Sequence, residues 1–493
     1  MVEEELYRID KYGKSVDNEE HSRILYRMAE IRPELPFRED STPYTWDEQG
    51  MGDLFGDLYT DTCSHCIENR TWYTYDGTCW AADIDGSLVS IKLKEFSRLL
   101  ELYAADIEDK DTREAYIKFI KKMGDRRYRE RILKDAADVL AIHASEFDKD
   151  PYLINLENGT YDLRTMSFRE HDPADLLTRK ANVSYTLQRT QKDDERWVRF
   201  IAEVTQSEEK ALYLQKALGY SLLGKAYEDC MFVLYGATSR NGKSTLLAAV
   251  KNILGDYAGV APVEMICNNG SGRTAEAPSP VLASLRGRRF VTMAESSQSG
   301  RIDESLLKQL TSCEEITARE LHGKPMTFVP QFVLWLSCND LPALRDRSVF
   351  ASDRIRVISF DRHFSPEEQD KSLGDYFREK MVKRGIFHWL LEGYKLYKAE
   401  GLVMSPALKA VGEEYAREND IILQFLEART KLDPEGKVKG KVLYETYKLW
   451  AKSNGYGVLS IKKFTSEMRA HAEYYSHVTK PNNLLQYNGM SLV

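Results

Sequence analysis

No run of about eighteen apolar residues, the length a membrane-spanning helix needs, occurs anywhere in the 493-residue sequence. Its start, Met1-Val-Glu-Glu-Glu-Leu6, is acidic where a secretory signal would be basic and then apolar. The expectation is therefore a protein of the cytoplasm with no membrane partner. Cysteine is sparse: seven residues, an odd number scattered along a long chain, predict reduced thiols in place of a disulfide framework. Cys63-Ser-His65-Cys66 and Cys79 raise the question of zinc, but a closed tetrahedral site needs four ligands and His65 lies on the neck of the same loop. A general surplus of positive charge is also missing. Net charge is −8, which excludes a non-specific polyanion binder and requires any nucleic-acid contact to be focused on patches or a channel. Two such patches exist. Between Ile421 and Val493 there are 11 Lys/Arg against 6 Asp/Glu, and the stretch Lys118 to Lys134 is basic as well. Internal repeats and low-complexity tracts are absent, and 42% hydrophobic with 30% charged residues is the composition of a globular protein. The length suits about three domains.

What is present begins with one loop. Met231-Phe-Val-Leu-Tyr235 reads as a short buried strand, followed by Gly236-Ala-Thr-Ser-Arg-Asn-Gly-Lys-Ser-Thr245 and a helix-like run from Leu246 to Leu254. Strand, small-residue loop and helix start is the order a phosphate-binding loop requires, because backbone N–H groups and the positive helix end then face the phosphates. The ATP-contacting residues predicted from it are Gly236, Ala237, Thr238, Ser239, Arg240, Asn241, Gly242, Lys243, Ser244 and Thr245. Lys243 is expected to reach the terminal phosphates and Ser244 to ligate Mg²⁺. Counted from Gly236 the loop is one residue longer than the usual spacing, and Arg240 stands where a glycine is common.

Along the chain, the first 150 residues read as mixed helix and strand. Helical segments are expected at Asp17–Ile31 and Leu93–Ala104, with an aromatic hairpin over Trp72–Trp80 that turns at Asp76-Gly77. A second hairpin, Leu153–Leu163, is expected to turn at Asn158-Gly159. Residues 151–225 form a helical domain, with helical periodicity over Asp193–Leu223 closed by Gly224. Residues 226–365 alternate strand and helix as a parallel α/β sheet does, with candidate strands Met231–Tyr235, Val260–Ile266, Arg289–Ala294, Phe332–Ser337 and Arg356–Phe360. Residues 366–420 form a helical extension, with helices over Ile386–Glu400 and Pro406–Asn419. Residues 421–493 follow as a basic module: a break at Asp433-Pro-Glu-Gly436, helix Val438–Ser453, turn, helix Ser460–Ala472, then a strand over Leu484–Val493. That is the order of a winged-helix domain, with Lys462, Lys463 and Arg469 on the helix that would enter a DNA groove.

A phosphate loop alone names no reaction. Arg289-Phe-Val-Thr-Met-Ala-Glu-Ser296 is an apolar strand ending in Glu295, placed to polarise water and help hold Mg²⁺. Phe332-Val-Leu-Trp-Leu-Ser-Cys-Asn339 ends in an amide that can orient water against a γ phosphate. Between them, Leu306 to Phe328 reads as a helix and a hairpin whose tip is His322-Gly-Lys-Pro325.

The ordered set of Asn-Gly-Lys-Ser-Thr245, Met-Ala-Glu-Ser296, Leu-Lys-Gln-Leu-Thr311, Ile-Thr-Ala-Arg-Glu-Leu-His-Gly-Lys-Pro325, Leu-Ser-Cys-Asn-Asp-Leu-Pro342 and Arg-Ile-Arg-Val-Ile-Ser-Phe360 resembles the superfamily 3 helicases. Within them it is similar to the phage and plasmid primase-helicase family related to the poxvirus primase-helicase. The resemblance implies an AAA+-like P-loop ATPase core, a hexameric ring, ATP hydrolysis at subunit interfaces and a DNA strand in the central pore. It implies roles for Lys243 and Ser244 in holding ATP and Mg²⁺, for Glu295 on the water, for Asn339 as sensor, and for Arg319, His322 and Lys324 as pore residues gripping phosphates. Arg354 matches the position of a finger arginine acting on a neighbouring subunit. Its neighbour Asp353 departs from the family's arginine pair, which keeps Arg356, Arg345 and Arg347 open as alternatives. The chain starts close to the helical domain, so priming is expected from a separate protein. The expected function is an ATP-dependent replicative DNA helicase of a phage, prophage or plasmid. The alternatives are a nucleotide-regulated initiator or loader that binds DNA without unwinding it, and a small-molecule phosphotransferase.

Overall fold

A computed structural model describes residues 44–188, 194–268, 279–294, 301–321, 325–341, 353–418, 420–481 and 484–493. The helix expected at Asp17–Ile31 lies outside them. The chain divides into two compact units, one of residues up to 188 with Leu254–Tyr257, the other of the remainder. These units are coarser than the five segments read from the sequence.

In the first unit, helix α1 (Glu48–Tyr59) precedes strands β1 (Cys63–Cys66), β2 (Thr71–Tyr75) and β3 (Trp80–Asp83). Helices α2 (Ser87–Tyr103), α3 (Lys110–Ile120) and α4 (Arg126–Val139) follow, then β4 (Ala141–Ile142). The sheet order is β3-β2-β1-β4, with the aromatic hairpin paired as expected and Gly77 at φ 93 in its turn. Helix α1 packs on α2 and α4 through Phe55, Tyr59, Phe96 and Ile132, all buried. Strands β5 (Leu153–Leu156), β6 (Gly159–Asp162) and β7 (Ser167–Arg169) form a second antiparallel sheet. Leu156 pairs with Gly159, so the turn is Glu157-Asn158, one residue earlier than expected. The reason is tertiary: Asn158 brackets the backbone of Tyr185, accepting from its N–H and donating to its carbonyl.

The second unit opens with α5 (Glu195–Thr205) and α6 (Glu208–Tyr220). The expected continuous helical stretch is broken at Gln206, in the left-handed region at φ 53, and Ser207 caps α6 by accepting from Lys210 N. Helix α6 ends at Ser221, so Gly224 is not its cap. Next come β8 (Met231–Tyr235), α7 (Lys243–Leu254), β9 (Ala258–Pro262), β10 (Cys267–Asn268), α8 (Pro280–Ser284), β11 (Phe290–Ala294), β12 (Arg301–Ile302) and α9 (Glu304–Thr311). The hairpin β13 (Ile316–Arg319) and β14 (Pro325–Phe328), then β15 (Val333–Cys338) and β16 (Ile355–Ser359), complete this part. All five candidates contribute to one parallel sheet of order β16-β8-β15-β11-β9, but the one read as Val260–Ile266 is displaced: β9 begins at Ala258 and ends at Pro262, and Val263–Ile266 turn into a 3₁₀ helix.

Strand β8 carries the loop and sits between the fifth and fourth strands of the sheet, an order no local sequence pattern announces. Both faces are covered, which is why the strands read as continuous apolar runs. On one face Phe232 stacks on Trp335 with centroids 4.5 Å apart, and the Trp335 indole donates to Ser221 Oγ at 3.0 Å. On the other, Val233, Val291, Leu334 and Val357 meet Leu307 and Leu310 of α9 and Ile316 of the hairpin.

Helices α10 (Leu373–Tyr376), α11 (Lys380–Glu400) and α12 (Pro406–Glu418) lead to the C-terminal module. It comprises α13 (Ile421–Arg429), β17 (Thr430–Lys439), α14 (Gly440–Ser453), α15 (Ile461–Met468), β18 (His477–Thr479) and β19 (Gln486–Leu492). Asp433-Pro-Glu-Gly436, read as a break, is a register shift inside β17 where it pairs with β19. Helix α13 starts on Asp420, whose buried carboxylate accepts from Ile422 N and Leu423 N and lies 3.1 Å from His471 Nε2.

Candidate active site

Parallel strands in register bring their carboxyl ends to one edge, the place where open α/β sheets bind ligands. Tyr235 pairs with Cys338 on one side and Ser359 on the other. The residues that follow, Gly236, Asn339 and Phe360, therefore converge although they lie far apart in sequence. Lys243, in the first turn of α7, is 4% exposed, and its Nζ donates to Gly236 O at 3.2 Å and to Asn339 Oδ1 at 2.9 Å. Asn241, also buried, donates its amide to Thr238 O at 2.7 Å and braces the loop from within. Ser244 is exposed beside Lys243, as are Ala237, Thr238, Ser239 and Arg240, while Thr245 is half-buried. The outer rim of the loop thus faces solvent, and its cation sits across the mouth.

Two backbone conformations hold this shape. Gly242 has φ 86, and a Cβ there would lie 2.5 Å from Val204 Cγ1 and 3.3 Å from Phe200 Cε2. Glycine is therefore required both by conformation and by the approach of α5. Arg240 has φ 61, a conformation that costs an L-residue about 1–2 kcal/mol. Its carbonyl accepts from Phe364 N at 2.9 Å, and His363 Nδ1 lies 2.8 Å from Ser239 O. Because a carbonyl only accepts, this histidine contact requires the hydrogen on Nδ1.

The segment after β16 and the helix before β8 were not singled out by sequence, and both build the site. Lys210 of α6 donates to Ser359 O, Ser359 Oγ and Asp361 Oδ2, each at 2.9 Å. Burial pushes the Asp361 carboxyl up, but the hydrogen bonds from Lys210 and Ser359 outweigh it and hold the group below its ordinary value. A polar cavity of about 430 Å³ is lined by Glu195, Arg196 and Arg199 of α5 with Asp370, Ser372 and Tyr376. Helix α5 runs between this cavity and Gly242. The only local hint was polar Asp361-Arg-His363 directly after an apolar strand.

Other expected residues are placed elsewhere. Arg354 precedes β16, about 16 Å of strand away from the carboxyl edge. Its Nη1 donates to Thr311 Oγ1 at 2.7 Å, and Nη2 lies 3.8 Å from Asp229. Arg356 is buried, with Nη2 3.0 Å from Glu228 and Nη1 donating to Leu402 O. Arg319 ends β13 opposite Pro325, half-buried, and its backbone meets Ser279. Glu295, His322, Lys324, Arg345 and Arg347 lie outside the described residues. Lys462 and Lys463 are exposed on α15, whereas Arg469 falls just past its end, in a 3₁₀ turn. The helix stops short there because Phe464 and Met468 are its last core contacts.

Cations are provided for unevenly. The exposed Ser244 hydroxyl at the start of α7 suits Mg²⁺, which keeps most of its waters and takes further oxygens from a phosphate chain. Zinc at Cys63, Cys66 and Cys79 gains no support from geometry, since the described residues contain no metal-holding group of three His, Cys, Asp or Glu. No helix among them is long and apolar enough to cross a membrane.

Three family matches cover most of this architecture. Residues 52–206 match the D5 N terminal like family, 234–354 a family of unknown function, and 417–488 the Poxvirus D5 protein-like family. A protein of Acanthamoeba polyphaga mimivirus named a "Putative helicase" is 26% identical over 425 residues, 79% of this chain and 44% of that protein. One from Invertebrate iridescent virus 6 with the same designation is 26% identical over 51% of this chain and 26% of its own length. A "Putative primase" of African swine fever virus is 20% identical over 73% of this chain and 41% of its own. The chain thus spans less than half the length of these relatives. Among solved structures, the apo C-terminal region of NrS-1 aligns over 90% of this chain and 99% of its own, at 12% identity and a TM-score of 0.48. With D5-type family models matching 52–206 and 417–488, these likenesses support a D5-like primase-helicase family for the chain.

Proposed function

We propose that the chain is the motor of an ATP-dependent replicative DNA helicase from a virus, phage, plasmid or comparable replicon, working as a hexameric ring around DNA. The observation that carries this reading is the convergence of Lys243, Gly236 and Asn339 at the carboxyl edge of the parallel sheet. Lys243, resting on Gly236 O and Asn339 Oδ1, transfers its hydrogen bonds to the terminal phosphates of ATP, and Asn339 is released to orient the attacking water. Backbone N–H groups of 237–242 and the start of α7 receive the phosphate chain. Ser244 Oγ and, on the sequence reading, Glu295 would hold Mg²⁺, which would neutralise phosphate charge.

Arg354 is the proposed finger for a neighbouring subunit. It lies at the opposite end of the sheet from its own loop, and Arg356 is already committed to Glu228. The hairpin of β13 and β14, with Arg319, His322 and Lys324, is proposed to face the DNA in the pore. The module from 421 onward, read as a winged helix, is proposed to touch duplex DNA through Lys462, Lys463 and Arg469.

The test is Lys243→Ala in the purified protein. DNA-stimulated ATP hydrolysis and strand displacement on a fork should vanish while the circular dichroism melt stays within a few degrees of wild type. Retained hydrolysis sinks the assignment. DNA binding with hydrolysis but no displacement by wild type identifies a loader instead.

A further inference from the structure

The basic stretch found in the sequence falls in the first unit, which holds none of the residues given a role above. It takes a definite form: the end of α3, a 3₁₀ turn and α4 expose Lys118, Lys121, Lys122, Arg127, Arg131 and Lys134. Arg127, Arg131 and Lys134 stand at i, i+4 and i+7, one stripe along the outer side of α4. Tyr128, Ile132 and Ala136, on the other side of the helix, are buried in the core with α1. Arg131 lies over the Tyr128 ring, 5.5 Å from its centroid, and 3.1 Å from Glu48, with 62% and 30% of the two ion-paired side chains exposed; a solvent-accessible pair of this kind contributes little and leaves the guanidinium open to another anion. The carboxylate of Asp125 caps the start of α4, accepting from Arg127 N at 2.7 Å, and Arg126 is paired with Glu130, so the ridge's uncommitted cations are those further along the stripe.

We infer that this ridge is a second DNA contact, binding the phosphate backbone of duplex DNA through the first unit. The chemistry of the ridge selects the duplex. Proteins that hold single strands combine cations with exposed aromatic platforms for the bases. Here the aromatic residues, Tyr116, Phe119 and Tyr128, are 2%, 5% and 7% exposed, so the ridge offers charge and no stacking surface. The inference rests on the reading of the chain as a DNA motor, but its test does not require hydrolysis.

The experiment measures anisotropy of a labelled blunt duplex with the full chain, without nucleotide, from about 50 to about 200 mM salt. The variant carries Lys121→Gln, Lys122→Gln, Arg127→Gln and Lys134→Gln. Each lost phosphate contact flattens the plot of log affinity against log salt by about 0.9, so the variant's slope should be shallower by about 3 to 4. Single-strand affinity and ATP hydrolysis should be unchanged. A variant with Lys121→Arg, Lys122→Arg and Lys134→Arg should keep the wild-type slope. Parallel slopes for the glutamine variant and wild type overturn the proposal. So does an unchanged duplex slope accompanied by lost co-sedimentation with anionic phosphatidylserine vesicles, which would assign the ridge to a lipid surface. Wild type that shows the slope but hydrolyses no ATP would sink the motor reading and leave the ridge standing.

Discussion

Replacing Gly242 by alanine tests the claim that the loop is shaped by α5. At φ 86 any Cβ is strained, which costs about 1–2 kcal/mol. The new methyl would lie 2.5 Å from Val204 Cγ1, closer than Cβ atoms come to any neighbour. Val204 is fully buried and β-branched, so it cannot rotate away, and the overpacking adds about 1–3 kcal/mol. The two costs together predict a loss of about 2–5 kcal/mol, divided between global stability and an opened loop with weaker nucleotide binding. Val204→Ala alone leaves a cavity and costs about 1–3 kcal/mol. Combined, the substitutions should interact favourably by about 1–2 kcal/mol, because the valine methyl that clashes is gone while the backbone strain remains. Urea unfolding of the four proteins and titration with a fluorescent ATP analogue give the coupling by both measures. Strictly additive losses would refute the contact between Gly242 and α5.

Arg240→Gly removes left-handed strain while loosening the unfolded chain, so a net gain of about 0.5 kcal/mol is expected in urea unfolding; a loss above about 1 kcal/mol would mean that the arginine side chain supports the loop. Arg356→Ala strands Glu228 in a mostly buried setting and should cost about 3 kcal/mol in the same assay. Arg354→Ala should cost less and, as the proposed finger, should remove single-turnover hydrolysis while sparing nucleotide binding; equal loss of both would make it structural. Asp361 has a depressed folded pKa, so its contribution is complete above the ordinary value of 3.8 and fades as pH falls through the lower folded one. The urea midpoints of wild type and Asp361→Asn should therefore differ at pH 7 and draw together below pH 3.8, and a gap constant with pH would rule out the carboxylate as its cause.

Most of the sheet was legible because strands covered on both faces must be apolar throughout, and four of the five runs lead into a polar residue or glycine that marks the edge; the fifth, read as Val260–Ile266, has no such mark and was placed two residues late at its start and four at its end. Boundaries were less legible: the Glu157-Asn158 turn follows a contact with Tyr185, and the end of α6 at Ser221 follows the indole of Trp335. Strand β17 was missed since its Asp-Pro-Glu-Gly stretch carries turn chemistry, and only pairing with β19 draws it into a ladder.

Local chemistry by itself determined the loop from Gly236 to Thr245, the strands that deliver Lys243 and Asn339, and the basic stretch at 118–134. Residue type and short-range spacing are enough to write those features into a chain. Tertiary structure alone decided that β8 lies between β15 and β16, which puts Asn339 within 2.9 Å of Lys243, and that Lys210, His363 and Val204 close around the same loop. Strand order is settled by how the helices cover both faces of the whole sheet, a long-range balance of buried surface that no window of neighbouring residues contains.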